Sequence, residues 1–135
     1  MTSLDLGEKF ETNNVQNMQS MFESTGYTAL TSLNLGEKFD TSKVENMSKM
    51  FKNMGHNKMK SFDVGENFYV TLVTDMTEMF RGTGQGAMTA LDLGVNFTRI
   101  ADSNTNMFTD CGTSDIVVYA PELIYLNETT FKLGR

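Results

Sequence analysis

Residues 33–61, LNLGEKFDTSKVENMSKMFKNMGHNKMKS, decide the architecture because the chain repeats them. Residues 4–32, LDLGEKFETNNVQNMQSMFESTGYTALTS, match them at 14 of 29 positions. Residues 62–90 keep the Gly, Phe, Val, Met and Met-Phe landmarks in register, and residues 91–112 hold a degenerate fourth copy. A fixed period of this length means that each unit is one supersecondary element. It buries its apolar face only by stacking on its neighbours.

Within the second copy, Leu33 and Leu35 alternate with Ser32 and Asn34, the period-two pattern of a short half-buried strand. Ser42 and Glu45 fit a capping box, and Val44, Met47, Met50 and Phe51 follow at i, i+3, i+6 and i+7. That spacing predicts a helix of about three turns. Gly26, Gly55, Gly84 and Gly112 fall where a left-handed helix stop belongs. The expected fold class is therefore an α/β solenoid, a right-handed stack of strand–turn–helix units with a parallel sheet on one face. Met18, Met21, Met47, Met50, Met76, Met79 and Met107 follow the stripe, so they read as core and not as a metal-binding box. Asn17, Asn46 and Asp75 share one place in it and are expected to be buried, bonding turn backbone from coil to coil.

Residues 1–112 thus form four repeats (4–32, 33–61, 62–90 and the degenerate 91–112), and residues 113–135 read as a C-terminal strand cap. Ile116–Tyr119 is expected as a fifth strand ended by Pro121, and Leu123–Leu126 as one more, with Phe131 and Leu133 under the last coil. No equivalent cap precedes Leu4, which predicts upstream repeats or an exposed edge strand able to self-associate.

The chain has 135 residues and a net charge of −6, and its Lys and Arg residues form no basic run. That balance argues against nucleic-acid and anionic-membrane partners, both of which need a positive footprint. No stretch has the ~18–20 apolar residues of a membrane span. The single cysteine, Cys111, cannot form an intramolecular disulfide and reads as a partly buried turn residue.

The segment L-x-L-G-x-x-F-x-T-S-x-V-x-N-M-x-x-M-F-x-x-x-G, residues 33–55, resembles the BspA-like leucine-rich-repeat family of bacterial surface proteins. The resemblance spans residues 4–112 and rests on Thr41-Ser42, Val44, Asn46-Met47 and Met50-Phe51. Leu30, Leu33 and Leu35 resemble leucine-rich repeats generally, with Gly36 and Phe39 in place of the usual asparagine and leucine. The third copy departs from the pattern at Val70-Thr71 and Asp75. The resemblance implies a secreted or wall-attached protein with an adhesive role on host or bacterial surfaces, and it carries no catalytic residues.

The outward strand positions form columns: Ser3, Ser32, Ser61 and Ala90; Asp5, Asn34, Asp63 and Asp92; Gly7, Gly36, Gly65 and Gly94. Together with the rim residues Glu8, Glu37 and Glu66, the second column supplies the expected binding residues. Neighbouring carboxylates in one column would sit ~5 Å apart and repel, which a calcium ion would relieve. Asn34 interrupts the column, and solvated side chains bonded to their own turns are the preferred reading. His56 lacks a partner at catalytic spacing and reads as exposed surface. No acid–base pair, activated nucleophile or metal cluster emerges, so no cofactor is expected. The expected function is non-enzymatic recognition of protein or glycan at a cell surface, with a structural spacer as the alternative.

Overall fold

The computed structural model describes residues 1–121 and 132–133. Four three-residue strands recur at the predicted places: β1 (Ser3–Asp5), β2 (Ser32–Asn34), β3 (Ser61–Asp63) and β4 (Ala90–Asp92). Their middle residues, Leu4, Leu33, Phe62 and Leu91, turn inward. β1 pairs parallel with β2, and β3 with β4, each one repeat apart (Ser3 opposite Ser32, Ser61 opposite Ala90). The three 29-residue repeats and the degenerate fourth are thus coils 1 to 4 of a stack. At the far end β5 (Val117–Tyr119) pairs with β4, and β6 (Lys132–Leu133) pairs with β5. The strand expected at 123–126 and the packing expected of Phe131 lie outside the described residues.

The predicted helices do not form: among the described residues there is no helix, and the molecule is not a strand–turn–helix solenoid. Hydrogen-bond competition explains the difference. Met18, Ser20, Phe22 and Ser24 donate their N–H groups to Asn46, Ser48, Met50 and Lys52 carbonyls of the next coil at 2.7–2.9 Å. The alternate residues Met21, Glu23 and Thr25 donate three residues back, to Met18, Ser20 and Phe22. A helix needs nearly every N–H for its own i−4 carbonyl, whereas here half of them serve a neighbour. The chain turns left-handed at Ser20 and Ser24 (φ 58° and 60°), as it does at Lys49 and Asn53 and at Glu78 and Gly82. The result is a ladder of consecutive turns whose i, i+3 repeat buries Val44, Met47, Met50 and Phe51 as a helix would.

Two smaller expectations fall with the helix. Ser42 caps nothing; its N–H donates to Asp40 Oδ1 at 2.7 Å. Asn17, Asn46 and Asp75 are not buried, and their Oδ1 atoms accept from Gln19, Ser48 and Thr77 N–H in their own coils at 2.8–2.9 Å. Their backbones nonetheless bridge in parallel from coil to coil. Gly26, Gly55, Gly84 and Gly112 do hold left-handed φ, ending turns instead of helices.

The expected continuous sheet is broken between β2 and β3, leaving one sheet of two strands and one of four. The bond from Leu6 N–H to Asn34 C=O (3.0 Å) recurs as Val64 to Asp92 and Leu93 to Tyr119, but none joins Leu35 to Asp63. Phe62 stands where the other three coils have leucine. Its buried ring lies 5.0 Å from that of Phe51 in coil 2, edge-on at 65°. The turn side stays closed, with Met47, Lys49, Phe51 and Asn53 all bonded to coil 3.

The core runs the length of the stack. Phe22, Phe51, Phe80 and Phe108 stack with centroids 5.6, 5.3 and 5.4 Å apart and ring planes within 16°. Met47, Met50, Met54, Met76, Met79 and Met88 fill around them, fully covered, as flexible thioethers suit an irregular turn ladder. Thr12, Thr41 and Thr83 hydroxyls bond backbone of neighbouring coils, and among the described residues no buried side-chain polar atom lacks a partner.

Candidate functional site

The outward face of the strands is built by alternation. With Leu4, Leu33, Phe62 and Leu91 in the core, Asp5, Asn34, Asp63 and Asp92 must point out. Each then bends back to cap its own turn: Oδ1 accepts from the N–H of Gly7, Gly36, Gly65 and Gly94 respectively, at 2.8–2.9 Å. These glycines hold φ between 79° and 88°, so the side chain bonds across a turn that needs a left-handed residue. An amide oxygen serves as well as a carboxylate, which is why Asn34 fits among three aspartates.

All seven sequence-predicted residues come together on this face. Asp5, Glu8, Asn34, Glu37 and Glu66 line a hollow of about 670 Å³ at the C-terminal ends of the first three strands. Asn34, Asp63 and Asp92 line a second hollow of about 600 Å³ over the strands themselves. Asn34, Gly36, Val64 and Gly65 border both, at the break between β2 and β3. Neither hollow has a Lys or Arg among its described lining residues, so Asp5, Glu8, Glu37 and Glu66 set the potential of the first, and Asp63 and Asp92 that of the second. Glu37 and Glu66 also contribute backbone, their carbonyls accepting from Asn67 and Asn96 side chains of the next coil.

The outward columns expected from the repeats hold only Ser, Ala, Asp, Asn and Gly, and the structure adds an aromatic residue to them. β5 pairs with β4 at a 27-residue offset, setting Tyr119 opposite Asp92 at the end of the same column. Tyr119 is exposed and lines the second hollow. In β5 Val118 is buried, and alternation turns Tyr119 outward. The change of offset hid which column it would join.

His56 is not a bare surface residue. Its ring stacks on Tyr27 one coil earlier (centroids 4.4 Å apart, 6° between planes), and Nε2 lies 3.0 Å from Gln85 Oε1 one coil later. These variable turn positions therefore form a side column of their own. Cys111 is buried, and burial pushes its thiol up to about 12, which leaves it unreactive. Glu78 bridges coils: Lys52 donates to it at 2.9 Å and Arg81 at 3.1 Å. The Lys52 bond holds the Glu78 carboxyl below its ordinary 4.5; burial opposes this, and Arg81 assists. Among the described residues no group of three His, Cys, Asp or Glu side chains is arranged to hold a metal ion.

A family model described as "Mycoplasma protein of unknown function, DUF285" matches residues 2–116. No curated protein and no solved structure matches the chain.

Proposed function

The chain belongs to this family, DUF285, and from that premise we propose that it is a non-enzymatic recognition module of a bacterial cell surface, taking protein or glycan on its strand face. One observation carries the reading: the seven outward polar residues and Tyr119 border two adjoining hollows that share Asn34, Gly36, Val64 and Gly65. Carboxylates, Asn34 and the Ser32 and Ser61 hydroxyls suit sugar hydroxyls or peptide N–H groups, with Tyr119 as an amphipathic anchor. Each coil adds little, so affinity builds through several coils or copies acting together. The surface location and adhesive role rest on the resemblance of residues 33–55 to BspA-like proteins. A net charge of −6 supports partners other than nucleic acid or anionic membrane.

The spacer reading draws on the Asx turns: the Asp and Asn column is needed for folding whether or not anything binds it. Immobilised chain, exposed to host and bacterial surface extracts and to a glycan panel, separates the two. Recognition predicts retained species whose capture falls at least tenfold with Tyr119→Ala and Asp92→Asn at unchanged melting temperature. Empty beads, or capture indifferent to both substitutions, would favour the spacer.

A further inference from the structure

The second hollow is a cleft in the sheet. Every residue of β2 and β3 lines it, Leu33 and Phe62 included, whereas β4 contributes only its outward Ala90 and Asp92, and β5 only Tyr119. Inward side chains border it only where the two strands part. Leu33, Leu35, Phe62 and Val64 accordingly keep 4–9% exposure, where Leu91, Leu93 and Val118 keep none.

The walls of this cleft are backbone. Leu6 N–H reaches the Asn34 carbonyl, so Asn34 faces coil 1, and its neighbours Leu33 and Leu35 direct their N–H and C=O groups at coil 3. Val64 N–H reaches the Asp92 carbonyl, so Ser61 and Asp63 aim theirs back at coil 2. β3 pairs with β4 and β4 with β5, but β2 and β3 do not pair. The facing groups of Leu33, Leu35, Ser61 and Asp63 are therefore left without a partner across the cleft. Main-chain groups in that position call for water or a ligand.

We infer that the cleft takes an extended polypeptide segment carrying lysine or arginine, bonded through its main chain to both walls, which rests on the recognition reading and narrows it to protein. On each wall the facing groups recur every second residue. A peptide strand offers its own N–H and C=O groups at that same spacing. Alternate side chains of such a segment fall on Leu33, Leu35, Phe62 and Val64, and the others rise toward solvent. There the lining carries Asp63 and Asp92, with Glu37 and Glu66 in the adjoining hollow and no Lys or Arg, so cationic side chains fit. A segment bonded on both sides sets β2 and β3 about 9.6 Å apart, two strand spacings. Coils 2 and 3 then spread on the strand side while the turn-side bonds hold them together.

The probe is a fluorescent eight-residue peptide of alternating lysine and valine, blocked at both ends and titrated onto the full chain. Anisotropy is expected to show saturable binding. It should weaken at least tenfold when glutamate replaces each lysine, and as much when each valine is N-methylated, which removes the donors facing one wall. The Leu33, Leu35 and Asp63 amides are expected to exchange rapidly with solvent in the free chain and at least tenfold more slowly with peptide bound. The Val64 amide, already bonded to Asp92, stays protected in both. No binding up to millimolar peptide overturns the inference. So does equal binding of the N-methylated or glutamate peptide, or binding that leaves those three amides exchanging freely. Surface proteins or glycans retained by the immobilised chain while the peptide fails would sink the cleft and spare the recognition reading. A peptide bound with slowed exchange, beside empty beads, supports the cleft and counts against the surfaces sampled.

Discussion

At the scale of the residue, the aspartates and asparagines of this chain are turn-makers before they are anything else. Asp5, Asn34, Asp63 and Asp92 cap the turn after each strand, and Asn17, Asn46 and Asp75 cap the start of each turn ladder. Asp63→Asn should therefore shift stability by less than ~0.5 kcal/mol, because the acceptor oxygen is kept. Asp63→Ala should cost ~1 kcal/mol, the net value of one hydrogen bond. Urea melts of both variants distinguish a structural oxygen from a structural charge. Glu78 is the opposite case, a carboxylate whose charge matters because Lys52 and Arg81 converge on it. Its folded-state carboxyl lies below the ordinary 4.5, so its contribution is present above that value and disappears as pH falls through the depressed one. Glu78→Gln should lower the melting temperature at neutral pH and match the unaltered chain once pH is well below 4.5.

At the scale of the element, the decisive event is the choice between helix and turn ladder. The i, i+3, i+6 spacing of Val44, Met47 and Met50 is shared by both, so side-chain patterning alone does not separate them. The next coil does, by offering a carbonyl to every second N–H. The strand elements pack tightly except at one seam, and the glycines report where. A Cβ on Gly36 would run into the Gly7 carbonyl, and one on Gly94 into the Gly65 carbonyl, while one on Gly65 meets nothing within 4 Å. All three hold positive φ, so strain is common to the three substitutions and space is not. Gly36→Ala and Gly94→Ala should each cost at least ~1–2 kcal/mol more than Gly65→Ala. Thermal melts of the three variants would refute the open seam if their losses were equal.

At the scale of the whole molecule, the coils are tied into one body by the phenylalanine stack and by bonds that run from coil to coil, so opening one coil exposes the next. Cys111, inside coil 4, reports that opening. Its thiol should resist alkylation in the native chain and label only at the rate of unfolding, and prompt labelling without denaturant would show that the last coil opens on its own. Much of this was legible in the residues: the repeat length, parallel pairing one repeat apart, the inward Leu, Met and Phe positions, and the outward columns. These follow from periodicity, since side chains at equal phase must face the same way. The turn ladder, the seam at Phe62 and the entry of Tyr119 into the outward strand face were decided by tertiary structure alone. Each depends on which neighbour in another coil meets a backbone group or a ring, and no local pattern specifies that neighbour.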